Sequence, residues 1–149
     1  MYEFILYMHI IGASTWIGGS MLLFALGVAM RDKEAQKLVY YHIGPIYGYF
    51  ESIVLALLLT TGSYLYYVNG FHANPELFTY ELGFMMHIKI AFVVVITVAT
   101  IVHMIVSLRA NGREKTFKEK LIARGTSLLI FLLNFVILWL AKEVRDILG

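Results

Sequence analysis

Four long hydrophobic segments make up most of the chain, and polar or charged residues separate them. A bilayer core about 30 Å thick needs about 20 apolar residues in helical form. The segments therefore predict four transmembrane helices, at about residues 4–30, 43–68, 82–108 and 126–141. The predicted fold class is an all-α bundle of four transmembrane helices, which forms a single membrane domain over residues 1–149.

The connectors between the segments differ in charge. Basic residues mark the loop that begins at Arg31 and the loop 109–124, whereas the connector 69–81 carries two glutamates and no lysine or arginine. Positively charged loops tend to stay in the cytoplasm. We therefore expect an integral protein of a bacterial inner membrane with both termini outside the cytoplasm. The first segment has no basic leader or small-residue cleavage site, so we expect it to be retained as a helix.

Composition supports this class and excludes others. Hydrophobic residues make up 60% of the chain and charged residues 15%, which is too apolar for a soluble domain of this length. The expected partner is the lipid bilayer. The net charge of +2 comes from basic residues at segment ends, so no nucleic-acid partner is expected. The absence of cysteine excludes disulfides, thiolate ligands and c-type haem attachment.

Four histidines lie in or at the edges of the hydrophobic segments, at two depths. His9 and His87 each precede by 22 residues an arginine that ends their segment, which places them about 33 Å from the cytoplasmic charges. His42 and His103 lie within six residues of a basic residue on the cytoplasmic side. A ligating side chain in a membrane helix is costly and usually functional. We therefore predict an outer pair, His9 with His87, and an inner pair, His42 with His103.

Each predicted pair suits the two axial positions of a haem b iron, because the porphyrin supplies the other four donors. Zinc or copper(II) held by protein alone usually needs more ligands. Sixteen residues separate His87 from His103 on the third helix, or about 24 Å, so one cofactor cannot use both. The sequence thus predicts one or two haems b. Methionines beside the histidines, such as Met8 and Met85, leave copper(I) binding open as an alternative.

The first helix surrounds its histidine with small residues. Steps of three and four residues place on one face His9, Gly12, Ala13, Trp16, Gly19 and Ser20. Small residues let a flat ring or a neighbouring helix approach closely. We predict Gly12, Trp16 and Gly19 as contacts of a haem that lies along this helix, with helix–helix packing as the alternative.

Two charged residues inside the predicted helices also need a partner. Lys89 is predicted to pair with a haem propionate, a substrate carboxylate or Glu51, or else to extend to the nearby interface. Glu51 lies too deep for such an extension, so it is predicted to handle protons or to be paired. His72 falls in the polar connector and is predicted to be a solvated loop residue. Asn134 is predicted to form a hydrogen bond between helices.

Two stretches of the sequence resemble a known superfamily. The stretch His9-Ile-Ile-Gly-Ala-Ser-Thr-Trp16-Ile-Gly-Gly19 is similar to the first helix of the CopD-like membrane proteins and the related HemJ-type proteins. His87-Ile-Lys89, followed by His103, resembles the third helix of the HemJ type. The resemblance implies a haem-b-binding membrane protein that oxidises protoporphyrinogen IX, in which His9, His87 and Lys89 carry haem binding and function. The Pro-Arg pair that the family carries late in helix one is absent here.

The sequence therefore predicts a b-type haem protein that acts in transmembrane electron transfer or in quinone-linked redox chemistry. One alternative is a protoporphyrinogen IX oxidase of the HemJ type, and another is a copper-transport module of the CopD-like type. A third is a structural subunit whose histidines only pack. A quinone or a porphyrin is the expected small-molecule partner. The sequence leaves open whether the chain is a membrane oxidoreductase in its own right and whether it forms a homo-oligomer.

Overall fold

Four α-helices account for nearly all of the described chain. The computed structural model describes residues 1–71, 73, 81–109 and 116–148, with the backbone alone for residues 147 and 148. The helices are α1 (Tyr2–Ala29), α2 (Lys33–Val68), α3 (Glu81–Arg109) and α4 (Phe117–Leu148). All four are long and apolar enough to cross a membrane. The predicted all-α, four-helix membrane fold is thereby confirmed, while His72 lies outside the described residues.

The start of α2 differs from the prediction by ten residues, because α2 begins at Lys33. Asp32 caps it by accepting hydrogen bonds from the backbone N–H groups of Glu34 and Ala35 at 2.9 and 3.3 Å. Pro45, which would lie in the first turn of a helix that began at residue 43, is the thirteenth residue of α2. The predicted start was too late because the capping residue, and not the onset of hydrophobicity, determines where this helix begins.

The start of α4 also precedes the predicted one, by nine residues. Thr116 and Glu119 form a reciprocal capping box. The Thr116 N–H donates to Glu119 Oε2 at 2.8 Å, and the Glu119 N–H donates to Thr116 Oγ1 at 3.3 Å. The helix then continues to Leu148, seven residues beyond its predicted end. The sequence Thr-x-x-Glu is a recognised signature of a helix start, so this boundary was readable from the sequence.

The helices pair as two hairpins. α1 packs along α2 and α3 packs along α4, whereas contacts across the hairpins are fewer. The hairpins meet at a buried cluster near the middle of the bundle, formed by Trp16, Val54, Ile96, Ala99 and Ile130. This core holds the two hairpins at a fixed register, so polar side chains from different hairpins meet at defined levels above and below it.

The outer surface of the bundle is strongly apolar. Large hydrophobic side chains point away from the core on all four helices, among them Ile46 and Ile53 of α2, which are 73% and 69% exposed. Helices that are apolar on their outer faces as well as inside are typical of membrane spans. The lipid bilayer is the environment that this surface fits.

Candidate functional site

Polar side chains line the bundle at three levels, and we name each level after one of its residues. The His9 layer contains His9, Thr61 and Lys89. The Trp16 layer contains Trp16, Thr100 and Asn134. The Glu51 layer contains Ser20, Tyr47, Glu51, His103 and Ser127. Seven residues of α1 separate His9 from Trp16 and four separate Trp16 from Ser20, which correspond to about 10 Å and about 6 Å along the helix.

In the His9 layer, the His9 ring is held in one tautomer. Nδ1 of His9 lies 2.8 Å from Thr61 Oγ1, and the Thr61 hydroxyl donates its hydrogen to the Leu57 carbonyl at 2.6 Å. While the Thr61 hydroxyl donates to Leu57, it can only accept from His9, and this arrangement assigns the hydrogen of the His9 ring to Nδ1. In the neutral ring Nε2 then carries the lone pair, as a metal ligand requires.

Gly62 gives the His9 ring its place against α2. A Cβ atom built on Gly62 would lie 3.2 Å from Cε1 of His9, which is closer than most side-chain contacts allow. The glycine therefore lets the imidazole lie directly on the backbone of α2. Lys89 of α3 is near enough to His9 for their charges to interact. The His9 layer thus includes residues of three helices. In it, the His9 imidazole lies near enough to the Lys89 ammonium group for their charges to interact.

His87 does not share the side of α3 that Lys89 occupies. Two residues along a helix turn the side-chain direction by about 200°, so His87 and Lys89 point to nearly opposite sides. His87 is exposed, and its Nδ1–H donates to the Gly83 carbonyl at 2.7 Å. The structure therefore brings Lys89 to His9 and leaves His87 on the outer side of α3. The predicted pairing of His9 with His87 stays a prediction.

The Trp16 layer links the two hairpins through one hydrogen bond. Trp16 of α1 donates its indole N–H to Asn134 Oδ1 of α4 at 3.1 Å. This is the interhelical role predicted for Asn134. Thr100 and Asn134 are 5% and 4% exposed. Of the side chains that the structure describes, these two hold the buried polar atoms without a hydrogen-bond partner, Thr100 Oγ1 and Asn134 Nδ2.

The Glu51 layer encloses a small cavity of about 30 Å³ to which all four helices contribute. Its lining residues are Ser20, Leu23, Glu51, His103, Ser127 and Ile130. Tyr47, one helical turn before Glu51, places its hydroxyl beside Ser20 and against Gly19. The cavity has room for a water-sized occupant, and it extends to the exposed side chain of Ser127 on α4.

His103 contacts α4 from its place in the Glu51 layer. Its Nδ1 lies 3.2 Å from the Ala123 carbonyl and 3.1 Å from Thr126 Oγ1. A carbonyl only accepts, and the Thr126 hydroxyl already donates to the Ile122 carbonyl at 2.8 Å. Nδ1 of His103 is therefore the hydrogen-bearing nitrogen, as in His9.

His42 lies away from this cavity. Nine residues separate it from Glu51, so the two side chains point to opposite sides of α2, about 180° apart. His42 is exposed and meets the Tyr41 ring edge-on, with centroids 5.1 Å apart. The structure does not bring His42 to the cavity that His103 lines. The predicted inner pair stays a prediction, without support from these contacts.

The small residues of α1 pack against α2. A Cβ atom on Gly12 would lie 3.2 Å from a methyl group of Leu58, and a Cβ atom on Gly19 would overlap the Tyr47 hydroxyl. Side chains of α2 therefore fill the space beside both glycines. This arrangement matches the helix-packing alternative for the stripe and leaves Trp16 to its hydrogen bond with Asn134.

Glu51 and Lys89 occupy different layers and do not pair. Lys89 lies 14 residues before His103 on α3, which is about 21 Å, and His103 shares the Glu51 cavity. Ser127 also lines that cavity, and Tyr47 lies near enough to Glu51 for their charges to interact. The sequence identified neither residue. The spacing Tyr47-x-x-x-Glu51 places those two side chains on one face, but no pattern within one helix predicts which residues of other helices they meet.

Within the described part of the chain, no group of three or more histidine, aspartate or glutamate side chains could hold a metal ion. A haem needs at most two protein ligands, so the haem prediction is not addressed by this finding. Comparisons with protein-family models, curated proteins and solved structures found no match to the chain. The resemblance to HemJ-type and CopD-like proteins therefore stays a prediction, and function has to be argued from the layers themselves.

Proposed function

We propose that the chain is a membrane haem protein that binds one haem b at the His9 layer, with Nε2 of His9 as an axial ligand. The observation that carries this proposal is the relay from His9 Nδ1–H to Thr61 and from Thr61 to the Leu57 carbonyl. Histidines that ligate a metal usually donate their other ring N–H to an oxygen in this way.

The ammonium group of Lys89 supports the proposal, because it would bind an anionic group of the haem near His9. Of the ion pairs that the described residues form, none involves Lys89. An unpaired ammonium group inside a membrane domain is costly, and a carboxylate would offset that cost through a charge-assisted hydrogen bond. The propionate groups of a haem supply such carboxylates, so His9 and Lys89 together offer a donor for the iron and a cation for the edge of the ring.

His9 and Lys89 have the chemistry that haem binding needs. The packing of α1 against α2 limits where the porphyrin ring could lie. Leu58 and Tyr47 fill the space beside Gly12 and Gly19, so the predicted position along α1 is already occupied. We therefore place the haem at the His9 end of the bundle, away from the Trp16 layer. Gly62 and Thr61 of α2 hold the imidazole there.

A single haem is favoured over two. His42, the predicted partner of His103, lies on the opposite side of α2 from Glu51. The proposal therefore concerns the His9 layer alone and predicts electron exchange with a partner such as a quinone, without transfer between two haems.

A bound haem b would supply one-electron chemistry between ferric and ferrous iron. The residues of this chain would bind and tune it. His9 would set the axial donor, Thr61 would fix the orientation of the ring, and Lys89 would balance a propionate. The apolar outer surface of the bundle would keep the site within the bilayer, where its partner must also dissolve.

The test is a haem titration of the full-length protein purified in detergent, with absorption spectra of the oxidised and dithionite-reduced forms. We expect a haem-to-protein ratio near one, loss of haem in His9→Ala, weaker binding in Lys89→Met and unchanged binding in His42→Ala. A protein without a Soret band, even after reconstitution with haem, would contradict the proposal. So would a ratio that His9→Ala leaves unchanged.

The same spectra test the predicted second ligand. If His87 occupies the other axial position, His87→Ala converts a low-spin spectrum to a high-spin one while the haem stays bound through His9. If His87 only caps its own helix through Gly83, the spectrum of His87→Ala matches that of the wild type. Turnover of protoporphyrinogen IX with a quinone acceptor would favour the oxidase alternative over an electron-transfer role.

A further inference from the structure

Glu51 is an acidic side chain that faces the inside of the bundle and lacks a countercharge. It lines the cavity of about 30 Å³ together with residues of the other three helices. Among the residues that the structure describes, its carboxylate has no ion-pair partner and accepts no hydrogen bond. A carboxylate inside a membrane domain is costly without such a partner. A positive charge at this position, supplied by a proton or by a bound cation, would offset that cost.

Two polar neighbours of Glu51, Ser20 and His103, donate hydrogens to groups outside the cavity. Ser20 donates its hydroxyl hydrogen to the Trp16 carbonyl at 3.0 Å, so a lone pair of Ser20 remains on the cavity side. His103 donates its Nδ1–H into α4. The cavity wall therefore offers hydrogen-bond acceptors next to a carboxylate, which is an environment for a cation.

The side chains that line the cavity around Glu51 include no lysine or arginine. The titratable side chains near it are Tyr47 on α2 and His103 on α3. α1 and α4 contribute only uncharged side chains to the lining, Ser20 and Leu23 from α1 and Ser127 and Ile130 from α4. The lysine of the bundle interior, Lys89, lies in the His9 layer about 21 Å away along α3. Within the described residues, no lysine or arginine lies in the cavity lining to balance the Glu51 carboxylate.

The size and chemistry of the cavity define the cation. A volume of about 30 Å³ accommodates one water-sized occupant, which needs at least about 10–15 Å³. Carboxylate and hydroxyl oxygens are the ligands of hard cations. One carboxylate balances one positive charge. These properties together select a small, hard, monovalent ion.

We propose that the Glu51 layer is a binding site for a hard monovalent cation such as sodium, with the Glu51 carboxylate and the Ser20 and Ser127 hydroxyl oxygens as ligands. These three residues belong to α2, α1 and α4, so the bound ion connects both hairpins. The site is separate from the His9 layer and does not depend on the haem proposal. It makes the chain an ion-linked membrane protein, in which the ion stabilises the assembled bundle.

The experiment measures the thermal unfolding midpoint of the full-length protein in detergent, in sodium chloride and in choline chloride of equal ionic strength. A ligand that binds only the folded state raises the midpoint as its concentration rises. We expect this rise with sodium and not with choline. The rise should vanish in Glu51→Gln and persist in Glu34→Gln, which makes the same substitution at an exposed position of the same helix.

A second pair of variants tests the ligand geometry. Ser20→Ala removes a proposed oxygen ligand and should weaken sodium binding about tenfold, as expected for the loss of one polar contact to a charged group. Ser14→Ala changes an exposed serine of the same helix and should leave binding unchanged. Sodium-23 NMR of the wild type and of both variants gives the affinities directly.

Three results would overturn the cation site. One is an unfolding midpoint of the wild type that is equal in sodium and choline, a comparison that needs no variant. Another is a sodium response that survives in Glu51→Gln. The third is a midpoint that responds to pH through Glu51 but not to sodium, because the carboxyl group would then bind only a proton. The haem content of Glu51→Gln should equal that of the wild type, so failure here is distinguishable from failure of the haem proposal.

Discussion

Lys89 and Glu51 are both ionisable side chains inside the bundle, yet their surroundings are built in different ways. Lys89 lies beside one imidazole, and Thr61 and Gly62 of α2 hold that imidazole in place. Glu51 lines a cavity to which all four helices contribute. A site of the first kind depends on a few direct contacts. A site of the second kind depends on how the hairpins pack, so substitutions that shift helices should affect it more strongly.

The largest expected effect is on the His9 layer. Thr61→Val removes the acceptor of the His9 Nδ1–H and should weaken haem binding about 10- to 100-fold, the usual effect of losing a residue that orients a metal ligand. Thr60→Val is the matched control, because Thr60 is exposed and bonds only to carbonyls of its own helix. Haem titration of both variants is the measurement, and equal affinities would contradict the relay.

The second-largest effect should change the Glu51 layer and leave the His9 layer unchanged. A Cβ atom on Gly19 would overlap the Tyr47 hydroxyl, while nothing lies within 4 Å of a Cβ atom on Gly18. Gly19→Ala should therefore displace Tyr47, destabilise the protein by about 1–3 kcal/mol and reduce the sodium response, with unchanged haem content. Gly18→Ala should be neutral or slightly stabilising. Unfolding in mixed detergents measures both, and equal stability of the two variants would contradict the packing of Tyr47 on Gly19.

A somewhat smaller effect is expected at the layer between the two sites. Trp16→Phe removes the donor to Asn134 and leaves the amide oxygen unpaired, which should lower the free energy of unfolding by about 1–2 kcal/mol. In an Asn134→Leu background the same substitution should have less effect, because no acceptor remains. A double-mutant cycle on unfolding free energies measures this coupling. Purely additive effects would mean that the Trp16–Asn134 bond does not join the hairpins in solution.

The smallest effect is expected outside the layers. Lys142 forms an i,i+4 ion pair with Asp146 at 2.8 Å on the exposed side of α4. Such pairs contribute little to stability and are screened by salt. Lys142→Ala should leave the unfolding midpoint, the haem content and the sodium response unchanged. A clear change in any of these would show that the end of α4 is coupled to the interior layers.

The sequence predicted the four helices and singled out most of the interior polar residues. Long apolar segments identify spans because a bilayer demands them, and His9, Lys89 and Glu51 are conspicuous because polar residues are rare in such segments. The positions of Thr61 and Ser127 were not predictable in the same way. Serine and threonine occur throughout membrane helices, and their partners are determined by the rotation of one helix against another.

The sequence did not predict towards which neighbouring helix each histidine side chain points. Depth alone matched His9 with His87 and His42 with His103. The packing places Lys89 near His9, with His87 on another side of α3, and the predicted histidine pairs stay predictions. The packing brings Glu51 to His103, with His42 on the outer side of α2. Counting residues gives the height of a side chain in a membrane, but the neighbours at that height depend on which face the other helices cover.

Pro45 interrupts the backbone hydrogen bonding of α2. Proline has no N–H, so the carbonyl of Tyr41 lacks its usual helical hydrogen bond at this point. The 36 residues of α2 extend about 54 Å, well beyond the bilayer core of about 30 Å. The missing bond divides a polar first arm, residues 33–44, from the membrane arm that carries Glu51 and Thr61. The backbone hydrogen bonding of α2 is thus weakest six residues, or about 9 Å, before Glu51, which is where this helix bends most easily.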